Sequence, residues 1–383
     1  MDRREGDLHM HARRSWPGRT SGVVVCGSVP MQTGPTSWNA SWAATSTLTE
    51  GEGSPTRTSL AGRRVIVTGA AGFIGTHLTR ALAADKAWVT ALDERAIDPP
   101  TATVLRARRV DLLTADLTSL FAGVDAVFHL AGRPGVRQSW GPGFEAYVRC
   151  NLLGTERVVE ACVEAGVRRL VVASSSSVYG QGLGRPSREA DPTQPVSPYG
   201  VSKLAAEQLC LAHALRPDVT TSVAVLRYFT VYGPGQRPDM LISRLLRAAR
   251  TGQPAPVFGT GQQSRDFTYV EDVVEATIAA ATLDCRAEVV NVAGGAPATV
   301  TEVIHLVSEL TGRQVPIDHK PEQDGDVAST CADLTRARIR LGYVPQVSLR
   351  EGLARHLAWE STQPLDPLGP AGEPSDAPTV EGR

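Results

Sequence analysis

A chain of 383 residues is long enough for two domains or one large α/β domain. Its 39 basic and 40 acidic residues leave a formal net charge of −1, which gives no electrostatic case for a nucleic-acid or anionic-membrane partner. No run approaches the roughly 20 apolar residues of a membrane span, and the six cysteines form no CxxC pair and no Cys/His cluster at zinc spacing; no metal is expected, and the thiols read as reduced in a cytoplasmic protein.

Gly, Ser, Thr, Pro and Arg dominate residues 1–60, where Trp16, Trp38 and Trp42 follow no period. This stretch reads as a disordered extension, with Met31 as an alternative start. Arg13-Arg14 ahead of Gly22–Cys26 has the outline of an export signal, but the apolar run is too short and Val25 is bulky beside a lipidated cysteine. From Arg64 apolar strands alternate with amphipathic helices. Arg64–Thr68 predicts a buried strand, Thr76–Asp85 a helix and Trp88–Asp93 a second strand. Further strands are expected at Ala126–Leu130, Leu170–Ala173 and Val223–Arg227, with helices near 146–165 and 199–214. The alternation predicts an α/β fold, a doubly wound parallel sheet over 63–233 with helices on both faces. Beyond Gly233 the elements shorten and Gly and Pro increase. A smaller α/β lobe is expected over 234–360, with some segments returning to the first domain, and then a disordered proline-rich tail over 361–383.

Directly after the first strand comes Gly69-Ala70-Ala71-Gly72-Phe73-Ile74-Gly75, and Asp93 ends the next strand 18 residues after Gly75. Strand, glycine loop, helix and acidic residue in that order predict a Rossmann-type dinucleotide site. The glycines allow a tight turn and close approach to a pyrophosphate, and the helix N-terminus offers free N–H groups. Asp93 can accept from a ribose 2′-hydroxyl and repels a 2′-phosphate, which favours NAD over NADP. Further on, Tyr199 and Lys203 sit one turn apart on a helix, downstream of a strand ending in Ser174-Ser175-Ser176-Ser177-Val178-Tyr179.

The GxxGxxG spacing, His129-Leu130-Ala131-Gly132, Asn151–Thr155 and Tyr199–Lys203 together make residues 63–360 resemble the extended short-chain dehydrogenases/reductases, in their sugar-nucleotide epimerase/dehydratase branch. The resemblance implies that Asp111 and Leu112 hold adenine, that Leu130 and Ala131 run along the dinucleotide, and that Tyr228 packs beside the nicotinamide. It implies a Ser175–Tyr199–Lys203 centre, with Lys203 also binding the nicotinamide ribose. A free tyrosine is ionised to roughly one part in a thousand at pH 7, so Lys203, with the nicotinamide's positive charge nearby, is expected to lower the Tyr199 pKa and make it a general base. Relatives are commonly dimers through two packed helices, which here are those near 146–165 and 199–214.

In the second lobe the resemblance places Phe258 against uracil, Arg265 of Arg265-Asp266-Phe267 on the diphosphate and Asp326 on the uridine ribose. Galactose epimerases carry a second diphosphate arginine three residues before that aspartate, where this chain has Gln323. Dehydratases of the branch follow the catalytic serine or threonine with an Asp-Glu pair; here those positions are Ser176 and Ser177, which cannot act as carboxylic acid and base. Decarboxylases carry Glu at the Ser177 position. The remaining reaction is 4-epimerisation of a UDP-sugar. Gly135-Val136-Arg137-Gln138-Ser139 and the run from Tyr228 through Thr230 to Arg237 are similar to UDP-glucuronate 4-epimerases. Ser176, Ser177, Thr230 and Arg237 are then the expected holders of a uronate carboxylate, although Arg137 and Arg237 also fit phosphate or structural carboxylates. The alternatives are a UDP-glucose or UDP-N-acetylhexosamine 4-epimerase, less favoured a dehydratase or decarboxylase, and a non-catalytic NAD-sensing protein.

Overall fold

The computed structural model describes residues 59–97 and 104–364, so the expected disorder of extension and tail falls outside the described residues except at their inner ends. Those ends depart from expectation. Leu60 is 5% exposed and donates its N–H to Asp85 Oδ2 at 2.6 Å, and the last helix runs on to Thr362.

The strands are β1 (Arg64–Thr68), β2 (Trp88–Asp93), β3 (Leu105–Arg109), β4 (Ala126–His129), β5 (Arg169–Ser175), β6 (Ser222–Tyr228), β7 (Thr230–Tyr232), β8 (Ala255–Phe258), β9 (Ser264–Tyr269), β10 (Ala287–Val292), β11 (Pro297–Thr299) and β12 (Ile317–Lys320). Seven of them form one parallel sheet in the order β10-β6-β5-β4-β1-β2-β3. The chain runs outward from β1 to β3, then crosses to the other side of β1 with β4. That reversal opens a crevice at the carboxyl ends of β1 and β4, where ligands of such sheets bind.

Alternation along the strands builds a core on each face. Val65, Val67, Phe128, Val171 and Leu226 pack under α1 (Phe73–Ala84), while Ile66, Val127, Leu170, Val172 and Val225 pack on the other side. That second face is covered by α2 (Leu117–Phe121), then, after the short α3 (Phe144–Tyr147), by α4 (Gly154–Glu164) and α5 (Pro198–Ala214). The chain then adds α6 (Leu241–Thr251), α7 (Val270–Ala280), α8 (Val300–Thr311), α9 (Thr335–Leu341) and α10 (Leu349–Thr362). Of these, α7 lies on the main sheet with α1, and β10 completes that sheet. A third core, with Tyr232, Leu245, Phe267, Val303 and Leu353, sits under the small sheets β11-β9-β7 and β12-β8.

Three sequence expectations are corrected. The first helix starts at Phe73, not Thr76, because Gly72 is its extended N-cap (φ −76°, ψ 168°). The segment expected as one helix over 146–165 is broken by a π-helical turn at Val148–Leu153. The arginine-rich β3 was not expected as a strand; it is an edge strand, and exposed Arg106 and Arg108 suit an unpaired rim.

Candidate active site

A cavity of about 1440 Å³ opens at the carboxyl ends of the central strands, and every residue assigned above to catalysis, cofactor or substrate lines it. Its floor at β1 is glycine for steric reasons. Gly69 has φ +70°, and a Cβ there would stand 2.6 Å from Ala131 N; a Cβ on Gly75 would stand 2.1 Å from Gly69 O. The helix can start this close to the strand only without side chains. No side chain caps α1, so its leading N–H groups are available to an anion. Asp93, 7% exposed, accepts from Ala71 N at 2.9 Å and from Arg95 N at 2.9 Å, which fixes its carboxylate at the end of β2. A glycine cradle, an uncapped helix and a held carboxylate fit an adenine dinucleotide.

From this floor a directed hydrogen-bond chain runs to the catalytic helix. Thr155 Oγ1 donates to Asn151 O at 2.6 Å, so it must accept from His129 Nε2 at 2.9 Å. His129 Nδ1 is then the acceptor for Thr68 Oγ1 at 2.8 Å, and Ala131 N donates to Thr68 Oγ1 at 3.3 Å. Burial pushes the His129 pKa down to about 3, with a further push from Lys203, so the ring stays neutral and keeps that tautomer. Asn151 sits in the π-turn. Its Nδ2 donates to Ser202 Oγ at 2.9 Å and to Arg133 O at 3.1 Å, and its Oδ1 accepts from Arg133 N at 2.6 Å. The π-turn thus aims one amide at both the dinucleotide loop and α5.

Tyr199 lies in the first turn of α5, whose Ser197 cap accepts from Gly200 N at 3.1 Å. Its own N–H is held by Ser139 Oγ at 3.1 Å, and Ser139, fully buried, in turn donates to Val136 O at 2.6 Å. Tyr147 meets the Tyr199 ring edge-on at 6.2 Å. Strand pairing of Ser175 with Tyr228 brings the serine to the same place, where it acts on the Tyr199 hydroxyl and favours its ionised form. In the chain alone Lys203 is not among the groups that shift Tyr199. Loss of solvation raises the Tyr199 pKa, and the Ser175 hydrogen bond and the Arg237 charge oppose this without overcoming it. Lys203 is itself pushed down to about 8 by burial. Folding therefore disfavours its ammonium, a cost fully present below pH 8 and relieved as pH rises toward the ordinary 10.5. In urea unfolding of protein freed of NAD, stability should climb over that window, and Lys203→Met should remove the climb. An equal slope in both proteins would refute the assignment.

The substrate side is less open than expected. Arg237 makes a two-pronged pair with Asp239, at 2.9 Å from both Nε and Nη2. Arg137 pairs with Asp326 at 3.2 Å, and its guanidinium lies 3.8 Å from the Phe258 ring centroid. Among the described residues the Arg265 guanidinium donates to Ser264 O alone, at 2.8 Å. Ser175 and Ser177 hydroxyls lie 3.2 Å apart, and Thr230 starts β7 beside them in the cavity wall. Tyr228 is 6% exposed and its hydroxyl meets Thr277 Oγ1 at 2.7 Å, so only its ring faces the cavity. Gln323 does not line the cavity; its amide faces the Pro321 and Glu322 carbonyls. Arg244, which lines the cavity from α6, escaped the sequence reading, and Ser139, quoted there only within the Gly135–Ser139 run, was not linked to Tyr199, 60 positions away. Arg244 carries no local signal, and the Ser139 contact carries none either. Among the described residues no group of three or more His, Cys, Asp or Glu could hold a metal ion, and no helix is long and apolar enough to cross a membrane.

Residues 65–293 match the NAD dependent epimerase/dehydratase family. The chain is 40% identical over 315 residues to a Bacillus subtilis protein named as an uncharacterized UDP-glucose epimerase, YtcB, covering 78% of this chain and 98% of that one. It is 33% identical over 313 residues to a UDP-glucuronate 4-epimerase of Thermodesulfobacterium geofontis, covering 77% and 95%. Among solved structures, MoeE5 in complex with UDP-glucuronic acid and NAD shares 49% identity at a TM-score of 0.75, over 78% of this chain and 99% of that one. The chain belongs to the NAD-dependent epimerase/dehydratase family.

Proposed function

We propose that the protein is an NAD-dependent 4-epimerase that interconverts UDP-glucuronate and UDP-galacturonate. The observation that carries this reading is the run Ser175-Ser176-Ser177 facing the same cavity as Tyr199, Thr230 and Arg237. That run has hydroxyls where loss of the 6-hydroxyl or of CO₂ would use carboxyl groups. NAD, when bound, supplies the hydride acceptor at C4 of the sugar and a positive ring beside Tyr199. Tyr199 takes the proton of the C4 hydroxyl, and Ser175 steadies the same oxygen. The resulting 4-keto uronate is a β-keto acid that loses CO₂ if its carboxylate bond lines up with the carbonyl π system. Ser176, Ser177 and Thr230 hold that carboxylate by hydrogen bonds, and Arg237 by charge, while the sugar turns. Tyr199 then gives its proton back to the C4 oxygen as the hydride would return to the opposite face of C4.

Incubation with UDP-glucuronate, followed by NMR of the H4 coupling, should show the galacturonate epimer without CO₂. Unchanged substrate, or release of UDP-xylose, would overturn the reading. One observation favours a second reading, a neutral-sugar 4-epimerase: Asp239 already satisfies Arg237. UDP-glucose and UDP-N-acetylglucosamine in the same assay decide between them. We further infer a cytoplasmic homodimer through α4 and α5, supported by the exposed apolar Leu153 and Val201 at 46% each.

A further inference from the structure

Arg137 is the residue whose placement least suits a protein waiting for its ligand. A nucleoside needs a flat apolar face for its base and an acceptor for its ribose hydroxyls, and the cavity offers both in Phe258 and Asp326. Arg137 covers both at once. Its guanidinium stacks 3.8 Å from the Phe258 ring centroid and donates to Asp326 Oδ2 at 3.2 Å. Pair and stack are only partly buried, with the side chains of Arg137 and Asp326 39% and 34% exposed, so they are exchangeable with a ligand. Two further guanidinium groups, Arg244 and Arg265, line the same cavity with no hydrogen-bonded carboxylate partner among the described residues. Burial lowers the pKa of both; the charge of Arg137 adds to this, while Asp326 opposes it at Arg265 and Asp239 at Arg244. Asp326 is near Arg137 and Arg265, and Asp239 near Arg244 but already paired with Arg237, so four arginines share two aspartates and the cavity wall has room for an added anion. A diphosphate carries the charge that fits.

We propose that Arg137 occupies the nucleoside subsite of the free protein, and that an arriving uridine diphosphate sugar displaces it from Phe258 and Asp326 onto the diphosphate. Arg137 thereby supplies the second diphosphate guanidinium that Gln323 does not provide. The proposal rests on the UDP-sugar reading of the site and adds to it a residue that opposes the nucleoside while favouring the diphosphate. Uridine alone must break the stack and offers the displaced guanidinium no new partner; UDP breaks it and gives that guanidinium a charge-assisted contact.

Calorimetric titration of the NAD-loaded protein with uridine and with UDP separates these effects. Arg137→Ala should bind uridine about threefold or more tightly than the parent and UDP about tenfold or more weakly, a reversal of sign that general damage to the site cannot produce. Arg137→Lys, which keeps a cation but loses the planar stack, should also favour uridine while retaining most of the UDP affinity. Unfolding curves on both variants check that the fold is intact. Equal weakening of both ligands, or a UDP affinity unmoved by Arg137→Ala, would overturn the proposal. If the ligand affinities reverse but UDP-glucuronate is not epimerised, only the reaction reading falls. If the parent binds neither uridine nor UDP, both readings fall together.

Discussion

Tyr199→Phe should lower kcat by about a thousandfold, within the range that a positioned general acid–base contributes, while bound NAD stays at the parental level. The substitution removes one oxygen and little else. The backbone N–H of residue 199 remains on Ser139 Oγ, the ring still meets Tyr147 edge-on, and the Ser197 cap on Gly200 is untouched. What disappears is the hydroxyl on which Ser175 and the Arg237 charge both act. Because the chain's own surroundings raise the Tyr199 pKa, the parent should depend on NAD for ionisation of that group, and its kcat should rise with pH through the corresponding limb. The variant should show a flat residual rate. The measurements are epimer formation by NMR and the absorbance of retained cofactor across a pH series. Turnover within tenfold of the parent would place the proton transfer elsewhere.

The parts of this site that could be read in the sequence are those fixed by local rules. A glycine loop between strand and helix can be recognised because Gly69 and Gly75 tolerate no side chain, and a helical spacing of four places Tyr199 and Lys203 together whatever surrounds them. Hydrophobic period located the central strands for the same reason, since strands buried on both faces are apolar throughout. Reading failed where the cause is distant. The Arg137–Asp326 pair spans 189 positions and the Ser139–Tyr199 bond 60, so no window contains them. The π-turn at Val148–Leu153 looks like any helical stretch, because its extra residue is set by where Asn151 must reach, not by composition. The rise in the Tyr199 pKa of the chain alone was not legible for a related reason: the neighbouring Lys203 is visible in the sequence, but the loss of water around the phenol is a property of the assembled cavity. β3 was missed because an edge strand needs only one apolar face, and its LRARR pattern keeps half-buried Leu105 and Ala107 among arginines.

The largest effect on stability is expected from a residue outside the reacting groups. Glu207→Ala should cost about 3–5 kcal/mol, the range for removing one partner of a buried ion pair. Glu207 is fully buried on α5, one turn beyond Lys203, and Arg227 at the end of β6 is 3% exposed. Arg227 Nε donates to Glu207 Oε2 at 3.1 Å, and the same oxygen accepts from Ser174 Oγ at 3.0 Å. On its other side Arg227 donates to Tyr179 OH at 2.9 Å, which donates onward to Asn291 Oδ1 at 2.7 Å. Removal of the carboxylate leaves a guanidinium without its counter-charge in a site water does not reach, so the penalty is that of an uncompensated charge, not of a lost contact. Replacing both members by apolar residues of similar volume should recover much of the loss, since a buried pair barely offsets its own desolvation. The pair therefore does more for placement than for net stability: it ties the helix of Tyr199 and Lys203 to the strand ends that carry Ser175 and Tyr228. Urea midpoints should accordingly fall steeply for Glu207→Ala and only slightly for a Glu207→Met, Arg227→Leu double variant, while both lose turnover. A double variant that regains stability and also retains parental kcat would show that the pair does not position the helix.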